Sequence, residues 1–566
     1  MVVALVAAVH FSTTGSALLL VATLACAHTA DDTTLSVMEE LQVQSPDRGS
    51  LLYDDTVTVR GRVSDPSQVD RVRVLDRTVQ IEADGSFELQ LTVAPGLNLL
   101  HTVARLHDGT ELVDTRAVLA GPRAHHEALA ERGVRARLSA ETVGTIGESV
   151  ALAMSTTDWG PVLASSGPTG KTGTGCFAAS ATIDDLDIGS ASMQTTPIPG
   201  GLDVELTLRD VRARASASYE AACLAGTTSL SFTADDYTVH ATVALSAIDG
   251  DVRSSVEVHY SDIDDLAVVV TGIDFIDEAM TNVDFLAGPV LGWLIEAQLG
   301  PMLETALEDF SARPMTIPVA DTELVVRTHP EVLSFDHDGG RIEVATAVFV
   351  PGADSPGYPL SAVDTPVAAQ PGAVEGFDLR VTDEVFNQTL TALWSSKLLT
   401  QEIDPAALGS TDFGGALDQV FIDAKLPPTV RLGEREESPV LVVGDLIVEL
   451  RGPKYTHARI AVSAEVALSA VERPDLGDGI TVLQPSSELQ ASWINVLEVD
   501  ERSRSILDEA LVEAITESVV ARAAADLGEL TGFITIPCFG GTTLVAPRAF
   551  SRPGYLQLEG RLGVAE

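Results

Sequence analysis

Apolar and polar residues alternate with a period of two along most of the chain, and this pattern predicts β-strands. Two stretches depart from it, residues 291–310 (LGWLIEAQLGPMLETALEDF) and residues 505–527. In both, apolar residues recur at i, i+3 and i+4, which predicts amphipathic helices. Twenty residues of helix span about 30 Å. The pattern therefore predicts a β-rich chain that contains two long helices, each apolar on one side.

The same order of predicted elements occurs twice. VRARLSAETVGTIGESVALAM begins at Val134 and FDLRVTDEVFNQTLTALWSSKLL begins at Phe377. Each is a short strand followed by an N-cap residue (Ser139 or Thr382), an acidic first turn and a helix. Long alternating strands, a long helix and closing strands then follow in both halves. We predict a tandem duplication, with domains at 125–350 and 374–566 joined by a Pro/Gly/Ala-rich linker at 351–373.

Residues 38–120 precede the duplicated part and have a different rhythm. Six or seven short alternating runs are separated by the turn sequences ADGS, APGLN and HDGT. Strands at this spacing are typical of an immunoglobulin-like (Ig-like) β-sandwich. The stretch ADGSFELQLTVAPGLNLL also resembles the accessory Ig-like domains of exported bacterial proteins. Such modules space or present other domains, so we expect the main function to lie downstream.

The N-terminal residues 1–27 predict an export signal, because the apolar run ALLLVATLA ends among small residues at Cys26. TLAC resembles a lipobox, which would lipidate Cys26 and anchor the protein to a membrane. ACA can also be read as a signal-peptidase site that ends at Ala27. We expect an extracellular, periplasmic or outer-membrane-anchored protein of a bacterium. In that setting Cys176 and Cys223 could pair as a disulfide.

Composition and motifs narrow the function classes. The chain carries 82 acidic and 35 basic residues, a formal charge of −47, so its field repels nucleic acid and anionic membrane surfaces. We expect no nucleic-acid partner. The sequence contains no GxSxG, HExxH, P-loop or strand-linked GxGxxG motif, and no Cys/His spacing of a zinc site. We therefore predict no enzymatic activity, no metal and no cofactor.

The long helices suggest a binding function. A twisted antiparallel sheet has one face to bury, and wrapping it around a long helix buries that face. A sheet that does not close tightly on the helix would leave an elongated apolar slot, suited to acyl chains that gain about 0.8 kcal/mol per buried CH2. The alternative is that each apolar stripe is filled core. In that case the protein would be a non-catalytic surface or adhesion scaffold with filled interiors.

Four stretches of the chain resemble the bactericidal/permeability-increasing protein-like family of the tubular lipid-binding superfamily. They are the two openings, the stretch 291–310 and the ending TGFITIPCFGGTTLVAPRAFSRPGYLQLEGRL. The resemblance covers residues 130–566. It implies an α+β, β-rich fold of two tubular domains, each a highly twisted antiparallel sheet wrapped around long amphipathic helices. It also implies an exported protein that holds or carries phospholipid or another amphiphilic lipid in apolar tunnels. The residues expected to line the tunnels are Leu138, Val143, Ile146, Val150, Leu291, Leu294, Ile295 and Leu299 in the first domain and Phe386, Leu390, Leu393, Leu507 and Leu511 in the second.

Overall fold

The structure is a computed structural model, and it describes most of the chain beyond the N-terminal segment. The described residues are 40–156, 159, 170–174, 177–221, 224–271, 315–319, 322–360, 375–404, 417–433, 439–452, 457–472, 481–499, 535–536 and 542–564. The predicted export signal and the predicted helices at 291–310 and 505–527 lie outside the described residues. So do Cys26, Cys176 and Cys223.

The predicted fold class, with sheets wrapped around long amphipathic helices, is wrong. The described residues form mainly strands in several sheets, with two helices of 17 and 13 residues, α1 (Ala140–Thr156) and α2 (Asp383–Ser395). At about 1.5 Å per residue α1 spans roughly 26 Å, whereas a strand of 25 residues spans roughly 80 Å. These helices are therefore too short to run the length of the sheets. Neither of them combines the length and the apolar composition that crossing a membrane requires.

The N-terminal module is a sandwich of two sheets. A three-stranded sheet in the order β1-β3-β6 packs on a five-stranded sheet in the order β2-β8-β7-β4-β5. Alternate residues of these strands point into one shared core, as the period-two pattern requires. We call residues 41–120 the Ig-like module. Its strands are β1 (Leu41–Ser45), β2 (Ser50–Leu51), β3 (Thr56–Val63), β4 (Val69–Val74), β5 (Arg77–Val79), β6 (Ser86–Thr92), β7 (Gly96–Leu106) and β8 (Glu111–Ala120).

Twelve strands follow between the module and residue 360. They are β9 (Arg123–Ala124), β10 (Ala130–Ser139), β11 (Gly170–Thr174), β12 (Phe177–Ile198), β13 (Gly201–Ala221), β14 (Leu224–Ile248), β15 (Asp251–Asp264), β16 (Ala267–Thr271), β17 (Met315–Val319), β18 (Thr322–Asp336), β19 (Gly339–Phe349) and β20 (Tyr358–Pro359). Strands β11 to β15 pair in chain order as one antiparallel sheet, with β16 added on β14. We call this the first long sheet.

Ten strands form the rest of the described chain. They are β21 (Phe377–Thr382), β22 (Thr400–Ile403), β23 (Gln419–Ala424), β24 (Thr429–Arg431), β25 (Val440–Arg451), β26 (His457–Glu472), β27 (Thr481–Val499), β28 (Thr535–Ile536), β29 (Thr542–Arg552) and β30 (Tyr555–Val564). The second long sheet has the order β22-β23-β25-β26-β27-β28, and β24 pairs with β25.

A seven-stranded central sheet joins the two halves in the order β17-β18-β19-β10-β21-β30-β29. The two opening strands, β10 and β21, lie side by side and antiparallel, with Leu138 opposite Phe377. Each is flanked on its other side by a closing strand of its own half. The equivalent strands of the two halves therefore occupy equivalent places on either side of the β10–β21 pair.

The helix starts follow the sequence pattern in part. Ser139 caps α1 as predicted, because its Oγ accepts a hydrogen bond from the backbone N–H of Thr142 at 3.1 Å. Thr382 precedes α2 with extended backbone, but its side chain makes no capping hydrogen bond. The predicted N-cap positions are thus confirmed for both residues, and of the two only Ser139 makes a side-chain capping bond.

Candidate functional site

The first long sheet carries a continuous apolar face. The buried residues of β13 change from even to odd positions at Asp210, whose φ is +52°. The apolar residues on both sides of Asp210 belong to one buried cluster, so they remain on one face. We call this the inner face. Its buried residues on β12, β13 and β14 are Ile183, Ile188, Leu206, Leu208, Val211, Ala213, Ala215, Phe232, Ala234, Tyr237, Val239 and Ala241.

Helix α1 covers one side of the inner face by packing chiefly along β12. The approach is close at Gly147, where an added Cβ would lie 2.2 Å from Oγ1 of Thr195. Met154 and Trp159, at and beyond the end of α1, join the apolar cluster of the inner face. The indole N–H of Trp159 donates to the carbonyl oxygen of Met154 at 3.0 Å. A short helix therefore covers the β12 side of a wider apolar face.

Buried polar groups interrupt this apolar face. Oγ1 of Thr195 on β12 and Oγ of Ser254 on β15 are buried and have no hydrogen-bond partner among the described residues. Burial also raises the pKa of the Tyr237 phenol to about 12, so this hydroxyl stays protonated at neutral pH. A buried hydroxyl without a partner costs about 1–3 kcal/mol. Oγ1 of Thr195 lies beneath α1 at Gly147, so Ser254 is the place where a bound molecule can supply a missing hydrogen bond.

The predicted tunnel residues of the first half do not share one environment. Leu138 and Val143 are buried in the core cluster that the central sheet forms with the second half, and Ile146 packs against it. Val150 is 40% exposed, and its neighbour Leu152 is 43% exposed. Helix α1 therefore has apolar side chains in the core and in solvent. The remaining first-half residues, Leu291, Leu294, Ile295 and Leu299, lie outside the described part.

The predicted residues of the second half are deeply buried. Phe386, Leu390 and Leu393 on α2 are 2%, 2% and 1% exposed. Phe386 and Leu390 belong to the main core cluster, and Leu393 packs with residues of β17, β18 and β19. Leu507 and Leu511 are not among the residues that the structure describes.

Helix α2 is buried on all sides, including its polar residues. The side-chain amide of Gln388 donates to the carbonyl oxygens of His126 (2.9 Å) and Ala128 (2.8 Å), and its oxygen accepts from the N–H of Val348 (3.0 Å). Oδ1 of Asn387 accepts from the N–H of Val430 at 2.8 Å. These bonds join α2 to the strands around it, as in the filled core of a globular domain.

The Ig-like module docks on the second long sheet, a contact that the sequence analysis missed. An apolar patch joins the two and contains Leu97, Leu119, Leu426, Val440 and Val442.

Polar contacts at this junction are specific. Asn495 on β27 accepts from the N–H of Thr115 at 3.0 Å and donates to the carbonyl oxygen of Val113 at 2.9 Å. Asp445 on β25 is fully buried, and its Oδ2 accepts from the N–H groups of Gly49 (3.0 Å) and Ala117 (2.9 Å). The clue in the sequence is a single acid within the apolar run VLVVGDLIV, since a buried carboxylate needs partners.

The match to a known protein family lies in the Ig-like module. Residues 39–121 match the family model described as glucodextranase, domain B. This range contains the eight strands of the Ig-like module. The match and the two-sheet sandwich together support the predicted Ig-like domain. No curated protein matches the chain.

Three solved structures align over parts of the chain with low similarity. Lipopolysaccharide binding protein is 13% identical, with 77% of this chain and 99% of that chain covered and a TM-score of 0.35. P47 of Clostridium botulinum E1 is 7% identical, with 77% and 100% covered and a TM-score of 0.20. The fibronectin(III)-like modules of Clostridium thermocellum CbhA are 13% identical, with 33% and 90% covered and a TM-score of 0.13. TM-scores this low establish neither a common fold nor a common function.

Proposed function

We propose that this protein binds an amphiphilic lipid by laying its acyl chain along the inner face of the first long sheet. The observation that carries the proposal is the extent of this apolar face, which spans β12, β13 and β14, whereas α1 packs chiefly along β12. Each buried CH2 of a tail contributes about 0.8 kcal/mol. A long apolar face therefore suits an extended chain better than a compact ligand.

A buried hydroxyl group on the inner face is consistent with a ligand that carries polar groups as well as an acyl chain. Thr195 on β12 lies beneath α1 at Gly147, whereas Ser254 lies three strands away on β15. An ester or hydroxyl group of a lipid would give Ser254 the hydrogen bond that it lacks among the described residues. The ligand class is then an amphiphile with polar linkages, such as a phospholipid.

A scaffold role is the second candidate, and we assign it to the second half. Helix α2 is buried on all sides, and Asn387 and Gln388 hold it to the surrounding strands through hydrogen bonds. The second long sheet also carries the docked Ig-like module. In this division the first half binds lipid, while the second half and the module form a filled support.

The proposal includes export through residues 1–27 and a role in binding rather than catalysis. It keeps lipid binding from the resemblance to bactericidal/permeability-increasing protein-like proteins, but not the helix-lined tunnels. Metabolic labelling with a palmitate analogue tests the anchor. Label on the wild-type chain that disappears in Cys26→Ala would assign lipidation, whereas an unlabelled chain in the culture medium would assign cleavage at Ala27.

The central test is native mass spectrometry of the full chain without residues 1–27, followed by solvent extraction and lipid analysis. A co-purifying lipid, or uptake of added phospholipid, is the expected result. A photo-reactive acyl chain should then crosslink to peptides of β13 and β14. An apo mass together with refusal of added lipid would contradict the proposal.

A matched pair of variants separates an occupied face from a filled core. Ala213 on the inner face is 3% exposed, and Ala464 in the core of the second half is 0% exposed. Replacing Ala213 by Trp should fill the lipid site, abolish uptake and leave the unfolding midpoint close to wild type. Replacing Ala464 by Trp should lower the midpoint, because overpacking a filled core costs about 1–3 kcal/mol. Equal destabilisation by both would mean that the inner face is also filled core.

A further inference from the structure

The outer face of the central sheet concentrates arginines. Residues Val134, Ala136 and Leu138 of β10 are buried on one face, so Arg135 and Arg137 lie on the other. Strand pairing brings further arginines beside them, Arg341 from β19 and Arg380 from β21. Arg132, at the start of β10, joins this group. We call Arg132, Arg135, Arg137, Arg341 and Arg380 the arginine face.

Two pairs of arginines in this group are directly opposite each other across neighbouring strands. Arg135 is the register partner of Arg380, and Arg137 is the register partner of Arg341. On its other side each faces a carboxylate, Glu343 opposite Arg135 and Asp378 opposite Arg137. Directly opposed side chains have Cβ atoms about 5 Å apart, and like charges at this distance are destabilising. The chain has 82 acidic and only 35 basic residues, so this concentration of positive charge runs against its composition.

The group contains fewer carboxylates than arginines. Asp378 pairs with Arg380 at 2.6 Å, and Glu343 pairs both with Arg341 and, at 3.5 Å, with Arg132. A third carboxylate, Glu559, lies opposite Asp378 but accepts from the amide of Gln557 at 2.6 Å. Its other register partner is an arginine of β29, Arg548.

Arg135 lies at the centre of this group. Its Nε is buried and has no hydrogen-bond partner among the described residues. Burial lowers the pKa of Arg135, and repulsion from Arg132, Arg341 and Arg380 lowers it further, while Glu343 opposes the change. Burial is the main cause of this change, and the attraction to Glu343 is stronger than the repulsion from any one of the three arginines.

The group is open to solvent on one side. The side chains of Arg132 and Arg341 are 42% and 45% exposed, whereas that of Arg380 is 20% exposed and lies over the ring of Tyr555. An anion can therefore approach from the side of Arg132 and Arg341 and reach Arg135. Guanidinium groups match phosphate oxygens with paired N–H donors, which makes arginine well suited to bind phosphate.

We propose that the arginine face is a binding site for a phosphate-type anion, with Arg135 at its centre. The bound anion would offset the repulsion between Arg135 and Arg380 and would supply the missing acceptor for Nε of Arg135. A lipid headgroup and a soluble phosphate ester share this chemistry. Charged residues of the central sheet form this site, and phosphate binding there does not require lipid binding to the inner face.

Calorimetric titration of the full chain with inorganic phosphate at low salt is the first measurement. We expect binding that weakens as salt is raised, and phosphate should raise the unfolding temperature. The Arg135→Gln variant should lose affinity by about tenfold or more. Arg73→Gln, an exposed strand arginine of the Ig-like module, should bind like wild type. Absence of phosphate binding, or equal losses in both variants, would overturn the proposal.

Stability measurements separate a binding role from a structural one. In phosphate-free buffer Arg135→Gln should unfold close to the wild-type temperature, because it removes a repulsion from Arg380 as well as an attraction to Glu343. A lower unfolding temperature would mean that Arg135 is structural, against the proposal. Should Arg135→Gln fail to fold, the more exposed Arg341→Gln replaces it and is expected to show the same loss of phosphate affinity.

Vesicle flotation distinguishes the two sources of phosphate. Vesicles of phosphatidylcholine with and without phosphatidic acid are compared, with the same variants. Flotation that needs phosphatidic acid and Arg135 would identify a lipid headgroup, whereas phosphate binding without flotation would identify a soluble ester. Failure of lipid-tail uptake in the mass spectrometry experiment would leave the phosphate result unaffected, so the two proposals fail separately.

Discussion

Arg48 of the Ig-like module donates a hydrogen bond to Oδ1 of Asp445 in the second long sheet at 2.7 Å, across 397 positions of sequence. A second nitrogen of the same guanidinium contacts Asp114 at 2.5 Å. Both carboxylates are almost completely buried, with side-chain exposures of 1% for Asp114 and 0% for Asp445. One arginine thus serves two buried acids from two parts of the chain, so the module is fixed to the second half rather than tethered to it.

Removing Arg48 should destabilise this junction strongly. We expect Arg48→Met to cost about 3–5 kcal/mol, because it leaves a buried carboxylate without its cationic partner. Hydrogen–deuterium exchange should show lost protection at the amides of Gly49 and Ala117, which bond to Asp445.

The matched control is an exposed ion pair of the same module. Arg60 contacts Glu88 at 2.9 Å, and both side chains are 59% exposed. Arg60→Met should change the free energy of unfolding by less than about 1 kcal/mol. Similar effects of Arg48→Met and Arg60→Met would contradict the docked arrangement.

The sequence was most informative where local patterns decide the structure. Alternation predicted the strands of the Ig-like module, and the Asp84-Gly85 and Asp108-Gly109 turns have the positive φ that glycine permits, +85° and +96°. The repeated opening was also visible, because β10 with α1 and β21 with α2 are built from contiguous residues.

Contacts between distant residues could not be predicted from these patterns. The pairing of Arg135 with Arg380 could not be predicted from the sequence, since register depends on partners far apart in the chain. The role of Asp445 depends on Arg48 and is equally non-local. The fold class was wrong because apolar periodicity at 140–156 and 383–395 shows that a helix forms, but not whether a sheet surrounds it.

The stability of the junction should depend on pH through His101. This side chain lies 4.3 Å from Trp493 between ring centroids, and its Nδ1 is 3.0 Å from Oγ1 of Thr115. Burial lowers the pKa of His101 below its ordinary 6.5, and the charge of Glu465 opposes this only in part. The unfolded chain therefore binds the proton more tightly than the folded chain. Stability should be unaffected well above pH 6.5 and should fall as the pH drops through and below that value.

Unfolding in urea, measured from about pH 8 to about pH 5, tests this dependence. His101→Gln should flatten the acid side of the profile, because glutamine has no proton to gain. His107→Gln, which replaces an exposed histidine of the same module, should leave the wild-type profile unchanged. If the profile flattens in His107→Gln and not in His101→Gln, then His101 does not cause the pH dependence and the prediction is wrong.

Two glycines of α1 should respond in opposite ways to alanine. An added Cβ at Gly144 meets only the carbonyl oxygen of Thr195 at 3.8 Å, whereas at Gly147 it would lie 2.2 Å from Oγ1 of the same threonine. Gly144→Ala should stabilise by up to about 1 kcal/mol through helix propensity. Gly147→Ala should lower stability by about 1–3 kcal/mol, because α1 must move away from β12.

A double variant identifies the cause of the loss at Gly147. Thr195→Ala removes Oγ1, and this oxygen has no hydrogen-bond partner among the described residues. Combined with Gly147→Ala, it should recover most of the lost free energy of unfolding. Additive losses in the double variant would show that the contact with Thr195 does not limit the approach of the helix.

Substitutions of the polar residues of α2 should change stability differently, depending on whether the side chain has hydrogen-bond partners. Gln388 is 1% exposed, and its side chain hydrogen-bonds to one N–H group and two carbonyl oxygens. Thr391 is also 1% exposed, but its Oγ1 has no hydrogen-bond partner among the described residues. Gln388→Leu should cost about 3 kcal/mol, since each buried group left unpaired costs about 1–3 kcal/mol. Thr391→Val should be neutral or stabilising, because it replaces an unpaired hydroxyl by a methyl group. Urea unfolding of both variants, with hydrogen exchange at Val348, measures the difference. A small effect of Gln388→Leu would mean that water replaces its hydrogen bonds, and that the second half is less completely filled than its burial indicates.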